Sequence, residues 1–223
     1  MTSLPYVYWC NHLTEVACTW RGVDYNARAF VRGLKQEEFN GYVAVRLNGV
    51  ERRYTSANIE QLVEAILPLI GGKLREDIRA PITLVPIPNS GMALGAEGPF
   101  RCVRLAELVA AGFGDGAEVC PAVVWDTPRP KAHKNNDYRH PDLYEPHMRL
   151  VAKPRGQIVL FDDVLTSGSQ MIAAARMMTK AGHAPTRGLV IARATKAQAE
   201  GKLFAKHQDE LKLDDDPFDF DEF

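Results

Sequence analysis

Two adjacent carboxylates, Asp162 and Asp163, directly follow Gln157–Phe161, the most strand-like run of the chain. The residues Thr166–Ser169 then open a predicted helix with small side chains, hydroxyl groups and successive backbone N–H groups. N–H groups at the positive end of a helix bind phosphate, and nearby carboxylates accept hydrogen bonds from sugar hydroxyls or hold a hydrated Mg²⁺. The spacing therefore predicts a sugar-phosphate site; ordinary capping of a helix N-terminus is the alternative interpretation.

The chain around these residues alternates between strand and helix patterns. Strand patterns cover residues 81–88, 119–125, 157–161 and 188–194, and helical patterns cover residues 100–113, 171–181 and 196–211. This alternation predicts an α/β fold with a central, mainly parallel sheet flanked by helices. Ligands of such sheets bind at the carboxyl ends of the strands, where Asp162 and Asp163 are expected.

The N-terminal part has a different pattern. Short strands are predicted at residues 6–9, 15–20, 42–47 and 51–54, and the last two are joined by the hairpin signal Asn48-Gly49. A helix is predicted over roughly 58–70. The predicted organisation is a small β-rich subdomain over residues 1–75, a core over 76–212 and an acidic tail over 213–223.

The run Phe161–Ser169, Phe-Asp-Asp-Val-Leu-Thr-Ser-Gly-Ser, resembles the phosphoribosyl pyrophosphate (PRPP) binding motif of type I phosphoribosyltransferases. The resemblance implies that family's fold, with Asp162 and Asp163 on the ribose 2′- and 3′-hydroxyls and on Mg²⁺, directly or through water. It also assigns the 5′-phosphate to the turn, whose residues are Thr166, Ser167, Gly168 and Ser169. Gln170 stands where the family usually has Thr or Ser, and its amide can still donate a hydrogen bond.

A second run, Leu84–Gly91, is similar to the ComF-type branch of the same family, which is linked to DNA uptake. The resemblance places the pyrophosphate loop here, with donors from Asn89, Ser90 and Gly91; a plain strand-to-helix turn is the alternative. Thr166 stands where 6-oxopurine phosphoribosyltransferases have an Asp, which disfavours hypoxanthine–guanine chemistry. ComF-type proteins also carry a four-Cys zinc ribbon, for which this chain has too few ligands near its N-terminus.

The segment between Trp125 and Gly156 has no periodic pattern and contains five prolines and ten basic or His residues. A segment of this length is either a functional lid or a solvent-exposed surface loop. A basic lid that closes over the diphosphate would exclude water and stabilise the leaving group. The predicted lid residues are Lys131, Lys134 and Arg139, which join Asp162 and Asp163 as candidate catalytic residues.

The activity implied by the resemblance is displacement of pyrophosphate from Mg·PRPP by a nitrogenous acceptor. A different class of function also fits the sequence. The chain would then be a non-catalytic protein with a PRPP-binding fold that acts in DNA uptake, repair or nucleotide metabolism through a partner. Release of pyrophosphate in the presence of PRPP discriminates the two.

The composition is that of an ordinary globular protein, with 223 residues, 46% hydrophobic and 25% charged. No apolar stretch approaches the roughly 20 residues of a membrane helix. No signal peptide is visible, and the four cysteines form no CxxC pair. The sequence predicts a soluble, cytoplasmic protein with reduced thiols, and it leaves a homodimer open.

Charge is distributed unevenly along the chain. Residues 209–223 hold eight acidic residues and one base, and without them the formal charge changes from −1 to about +6. The basic excess of the body leaves nucleic acid open as a partner. The tail alternates acids with Phe and is expected to be disordered when free. It is similar to the acidic tip of single-stranded DNA-binding proteins, which implies a protein partner; an autoinhibitory or solubilising tail, or no role, are the alternatives.

Overall fold

The computed structural model describes residues 2–15, 18–47, 49–128, 140–198 and 201–213. Four helices lie in these ranges, namely α1 (Gly22–Leu34), α2 (Ile59–Leu74), α3 (Arg101–Phe113) and α4 (Ser169–Lys180). The strands are β1 (Ser3–Leu13), β2 (Val43–Leu47), β3 (Val50–Tyr54), β4 (Ile82–Pro86), β5 (Ala117–Val119), β6 (Val123–Trp125), β7 (Met148–Leu150), β8 (Gln157–Leu165), β9 (Arg187–Thr195) and β10 (His207–Lys212). Short 3-10 turns cover Pro141–Leu143 and Glu145–His147.

The main sheet has six strands in the order β10-β1-β9-β8-β4-β5. All neighbouring pairs are parallel except β1 and the edge strand β10, which are antiparallel. The central strands β4, β8 and β9 are apolar on both faces because helices cover both faces. The predicted fold class, α/β with a central, mainly parallel sheet flanked by helices, is confirmed.

Each face of the sheet has its own core. On one face α1, α2 and α3 pack around large buried side chains such as Phe30, Leu67 and Phe161. On the other face α4 packs over Leu160, Val190 and the buried side chains of β10. Because α4 follows β8 directly, the turn between them lies at the carboxyl edge of the sheet, which is where the sequence places the phosphate.

The N-terminal residues 1–75 differ from the predicted β-rich subdomain. Strand β1 lies in the main sheet between β9 and β10, because it buries Leu4 and Tyr6 on one face and Val7 and Trp9 on the other. A strand that is apolar on both faces requires cover on both sides. Of the N-terminal strands, β2 and β3 form a separate sheet, and this hairpin agrees with the one predicted around Asn48-Gly49.

Three predicted elements are wrong. The predicted strand at residues 119–125 is divided into β5 and β6, which belong to different sheets. Cys18–Trp20 is a loop rather than the end of a strand, since the Cys18 thiol and the Trp20 indole both donate to the carbonyl of Glu15, at 3.6 and 2.8 Å. The predicted helix at residues 196–211 is also wrong, because His207–Lys212 is the strand β10, paired with β1. The helix α1 was missed, although Val23, Ala27 and Phe30 follow helical spacing.

Within the described ranges, no helix combines the length and the apolar character needed to cross a membrane.

The contacts of Leu213 indicate that the folded part of the chain extends to this residue. Leu213 is buried, its N–H donates to the carbonyl of Thr2 at 2.8 Å, and its carbonyl accepts from Arg176 Nε at 2.6 Å. Deletion of residues 214–223, which lie outside the described ranges, should leave the free energy of unfolding unchanged in urea denaturation. Deletion from Leu211 onward should lower it by about 3 kcal/mol or more, because two buried Leu side chains are lost. Equal effects of the two deletions would contradict this boundary.

Candidate functional site

The two carboxylates lie inside strand β8 rather than after it, because β8 continues to Leu165. Successive side chains of a strand point to opposite faces. Asp162 is half-buried and lines a cavity on the α4 side, whereas Asp163 is buried and faces α3. The sequence predicts the same role for both acids, but the structure places them in different surroundings.

A cavity of about 140 Å³ lies between the end of β8 and the start of α4. Its lining contains Asp162 and the whole predicted phosphate turn, Thr166, Ser167, Gly168, Ser169 and Gln170. Val164, Leu165, Met171 and Tyr144 also line the cavity. Six predicted PRPP-binding residues therefore meet at one concave surface. Tyr144 was missed from the sequence, because it lies within the non-periodic segment and belongs to no motif.

The first turn of α4 is suited to an anion. Gly168 precedes the helix with a φ of 78°, and as the N-cap residue it has no side chain that could cap the helix. The Ser167 and Ser169 hydroxyls lie 2.9 Å apart, and both residues are buried. The first helical hydrogen bond runs from the Ile172 N–H to the Gly168 carbonyl at 2.9 Å. The Ser169 N–H donates to Ser167 Oγ at 3.4 Å. The N–H groups of Gln170 and Met171, two residues that line the cavity, also precede the first helical bond.

The pKa of Asp162 is raised well above its usual range. Burial is the largest cause, and the negative charge of Asp163 adds to it. The positive charge of Arg101 acts in the opposite direction. A ligand that donates hydrogen bonds to this carboxylate would stabilise its charged form.

Asp163 forms an ion pair with Arg101, whose Nη2 lies 2.6 Å from Asp163 Oδ2. The side chains are 10% and 29% exposed, so the pair is largely shielded from water. Arg101 was missed as a site residue, although a signal was present. A cation at the first position of a helix opposes the helix dipole, and it therefore indicates a nearby negative partner.

The predicted pyrophosphate loop follows β4. The Ile87 N–H donates to the Phe161 carbonyl at 2.8 Å, so the start of the loop runs beside the residue that precedes Asp162. The Trp125 indole holds the loop by donating to the carbonyls of Pro88 and Asn89, at 3.2 and 2.9 Å. The loop does not line the cavity described above.

Cys102 connects this loop to the acids. Its thiol interacts with the backbone of Asn89, and the charges of Asp162 and Asp163 act on it. Burial is the main reason that its pKa rises to about 11. The thiol is therefore neutral, and it lies 3.8 Å from the sulfur of Met92.

The three predicted lid residues, Lys131, Lys134 and Arg139, lie outside the described residues.

The two acids differ in how well each could hold Mg²⁺. Asp163 forms an ion pair with Arg101, and Asp162 is the carboxylate that lines the cavity. In the described ranges no three His, Cys, Asp or Glu side chains are grouped as a metal site would require. One carboxylate fits a Mg²⁺ that is held mainly by phosphate groups and water.

The turn conformation leads to a prediction about Gly168. A Cβ on Gly168 would lie 2.7 Å from Leu211 Cδ2, and the positive φ of Gly168 is unfavourable for Ala. Gly168→Ala should lower the free energy of unfolding by about 2 kcal/mol and weaken phosphate binding. Gly22→Ala, at the start of α1, is the control, because no atom lies within 4 Å of the added Cβ and the φ of Gly22 is not positive. Urea denaturation and phosphate titration check both variants; equal effects would mean that the Gly168 turn is not required.

The structure is similar to solved structures of phosphoribosyltransferases. A hypoxanthine phosphoribosyltransferase from Staphylococcus aureus is 8% identical, with 73% of this chain and 76% of that chain covered and a TM-score of 0.36. Adenine phosphoribosyltransferase from Leishmania tarentolae is 14% identical, with 73% and 87% covered and a TM-score of 0.34. APRTase from Giardia lamblia, complexed with 9-deazaadenine, is 14% identical, with 78% and 98% covered and a TM-score of 0.33. Similarity at this level of identity concerns the fold alone.

No model of a known protein family matches the sequence, and comparison with curated proteins gives no match.

Proposed function

We propose that this protein is a PRPP-dependent phosphoribosyltransferase. The observation that carries the proposal is the cavity at the carboxyl edge of the sheet, where Asp162 and the N-terminus of α4 share one surface. A helix N-terminus binds phosphate, and a carboxylate accepts from the hydroxyls of a sugar. A ribose 5-phosphate group presents both kinds of partner at once.

In the proposed reaction, a nitrogen atom of the acceptor attacks C1 of the ribose. The N–C1 bond forms, the C1–O bond to the diphosphate breaks, and the proton of the acceptor nitrogen passes to the released diphosphate or to solvent. Thr166–Gln170 would hold the 5-phosphate and Asp162 the ribose hydroxyls, which fixes C1 relative to the loop at Asn89–Gly91. Asp163 acts through Arg101 as a positioning residue. When bound, Mg²⁺ neutralises charge on the diphosphate.

The loop after β4 is the proposed diphosphate site. Asn89 Oδ1 accepts from the Gly91 N–H at 3.2 Å, which preorganises the turn. Parallel strands β4 and β8 are neighbours, so their carboxyl ends deliver this loop and Asp162 to the same edge of the sheet. Two ends of one ligand, a diphosphate and a sugar phosphate, would then lie over adjacent strands.

The experiment has two measurements. Calorimetry with PRPP and Mg²⁺ tests binding, and release of pyrophosphate with a panel of nucleobases and amines tests catalysis. Binding with release supports the enzyme. Binding without release for any acceptor favours the non-catalytic alternative, to which Gln170 at the end of the phosphate turn adds weight. Absence of PRPP binding overturns both.

We also propose that the acidic tail binds a protein partner. The support is its sequence, in which acids alternate with Phe up to Phe223. A docking peptide of this kind would place Phe in an apolar pocket and its acids on basic side chains, so its affinity should fall as salt rises. The 214–223 deletion should then lose the partner in a pull-down and keep PRPP binding.

A further inference from the structure

The end of strand β10 lies against the phosphate turn. Leu211 is buried, and a Cβ on Gly168 would lie only 2.7 Å from Leu211 Cδ2. Gly168 lines the cavity and directly precedes α4. The strand at the C-terminal end of the described chain therefore packs on the turn that is proposed to hold the phosphate.

A second part of the cavity comes from a distant segment. Among the described residues, Tyr144 is the one lining residue that lies outside residues 162–171. Its N–H donates to the Pro141 carbonyl at 2.9 Å, so Tyr144 belongs to the hydrogen-bonded turn that also contains Asp142. Its ring lies against Trp125, with 6.0 Å between the ring centroids. The position of Tyr144 at the cavity therefore depends on how this turn is held.

Arg176 of α4 holds both the end of β10 and the turn of Tyr144. Its Nε donates to the Leu213 carbonyl at 2.6 Å, and its Nη1 donates to Asp142 Oδ1 at 2.8 Å. The Arg176 side chain is 20% exposed, so water has little access to these bonds. Arginine can bind both partners because its guanidinium presents several N–H groups in fixed directions.

Two routes of contact therefore lead from the end of β10 to the phosphate cavity. The first is the contact between Leu211 and Gly168, and the second leads through Arg176 to the turn of Tyr144. β10 is an edge strand, and four of its six residues are exposed. A strand with few buried side chains opens locally more easily than the core of a sheet. Local opening of β10 would remove support from two parts of the cavity at once.

We propose that docking of the end of β10 regulates the phosphate site, and that Arg176 is the positioning residue that connects the two. The inference rests on the proposed function, which assigns the phosphate to this cavity. Docked β10 holds Gly168 and Tyr144 in the arrangement that binds phosphate. Because coupling between two sites is reciprocal, bound phosphate also holds the end of β10 in place. The acidic tail follows Leu213 in the sequence, so a partner that pulls β10 away through the tail would lower the phosphate affinity.

Hydrogen exchange tests this coupling on the unchanged protein. Saturating inorganic phosphate should slow exchange of the amides of residues 207–213 at least about fivefold. The amides of β2 and β3, which form a separate sheet, are the internal reference and should exchange at the same rate with and without phosphate. Unchanged exchange at residues 207–213 in the presence of bound phosphate would overturn the inference.

Calorimetric titration with inorganic phosphate tests the role of Arg176. Arg176→Met should weaken phosphate binding at least about fivefold and reduce the protection of β10 by phosphate. Asp142→Ala removes only the contact with the turn of Tyr144. It should weaken phosphate binding, and phosphate should still protect β10, because the bond from Arg176 to Leu213 is intact.

Lys206→Met is the matched control. Lys206 directly precedes β10 and binds Asp77 at 2.8 Å, so the variant also loses an ion pair that holds this strand. Neither Lys206 nor Asp77 lines the cavity. Lys206→Met should therefore keep the phosphate affinity of the unchanged protein, even where its free energy of unfolding is lower.

The outcomes separate this inference from the proposed function. Absence of both PRPP and inorganic phosphate binding in the unchanged protein would overturn the proposed function, and the regulation would be lost with it. Phosphate binding that Arg176→Met leaves unchanged, or that Lys206→Met weakens equally, would overturn the regulation alone. Circular dichroism checks that each variant is folded. If Arg176→Met does not fold, Asp142→Ala decides, because the Asp142 side chain is 68% exposed and its loss leaves the core intact.

Discussion

Asp163→Asn should lower the free energy of unfolding by about 3 kcal/mol. The substitution removes the partner of Arg101, whose guanidinium lies 2.6 Å from Asp163 Oδ2 and is 29% exposed. Removing one member of a shielded ion pair leaves the other charge desolvated and unpaired, which costs more than the pair itself contributes. Urea denaturation followed by tryptophan fluorescence measures the change.

Two variants make this result specific to the ion pair. Asp163→Asn combined with Arg101→Met should recover part of the loss, because no unpaired charge remains. Glu76→Gln breaks the ion pair between Glu76 and Lys73, whose side chains are 59% and 62% exposed, and should leave stability nearly unchanged because solvent screens this pair. A loss for Asp163→Asn no larger than that for Glu76→Gln would show that the shielded pair contributes nothing.

Asp162→Asn should reduce the affinity for ribose phosphates at least about a hundredfold. In the proposed complex the ionised carboxylate accepts from two ribose hydroxyls, and hydrogen bonds to a charged group contribute about 1.5–3 kcal/mol each. Titration with ribose 5-phosphate and with inorganic phosphate separates the two halves of the site. Inorganic phosphate should bind the variant as well as the unchanged protein, because the turn before α4 is intact.

The same substitution should not destabilise the protein. Because the pKa of Asp162 is raised in the folded state, the folded protein binds more protons than the unfolded chain between the two pKa values. The stability contributed by the protonated form is therefore present at acidic pH and lost as pH rises through that interval. Asp162→Asn should be at least as stable as the unchanged protein at neutral pH and should show a weaker loss of stability with rising pH.

The exposed Asp115→Asn is the control for both measurements. It should leave affinity and pH dependence unchanged. Unchanged affinity of the folded Asp162→Asn variant for ribose 5-phosphate would remove Asp162 from the sugar site. A drop in stability at neutral pH would show that its carboxylate is not penalised by burial.

The local features of the site could be read from the sequence. Four apolar residues, two acids and a Thr-Ser-Gly turn specify a strand, a turn and a helix start through interactions between near neighbours. The structure accordingly brings Asp162 and Thr166–Gln170 together in one cavity. The Asn48-Gly49 hairpin was predictable for the same reason, since its turn chemistry is contained in a few residues.

Contacts between distant segments were decided by the tertiary structure. His207–Lys212 is polar enough for a surface helix, and it becomes a strand because β1 offers an unpaired edge. β1 itself belongs to the main sheet because α4 and α1 cover its two faces. Neither partner is visible within the segment, so local patterns could not assign these residues.

The same distinction separates the two acids. By itself the sequence determined that a carboxylate pair precedes a phosphate-type turn. Only the tertiary structure decided that Asp162 opens to the cavity while Asp163 is held by Arg101. The physical reason is that strand alternation turns adjacent side chains to opposite faces, and the chemistry of each then depends on the helix that packs there.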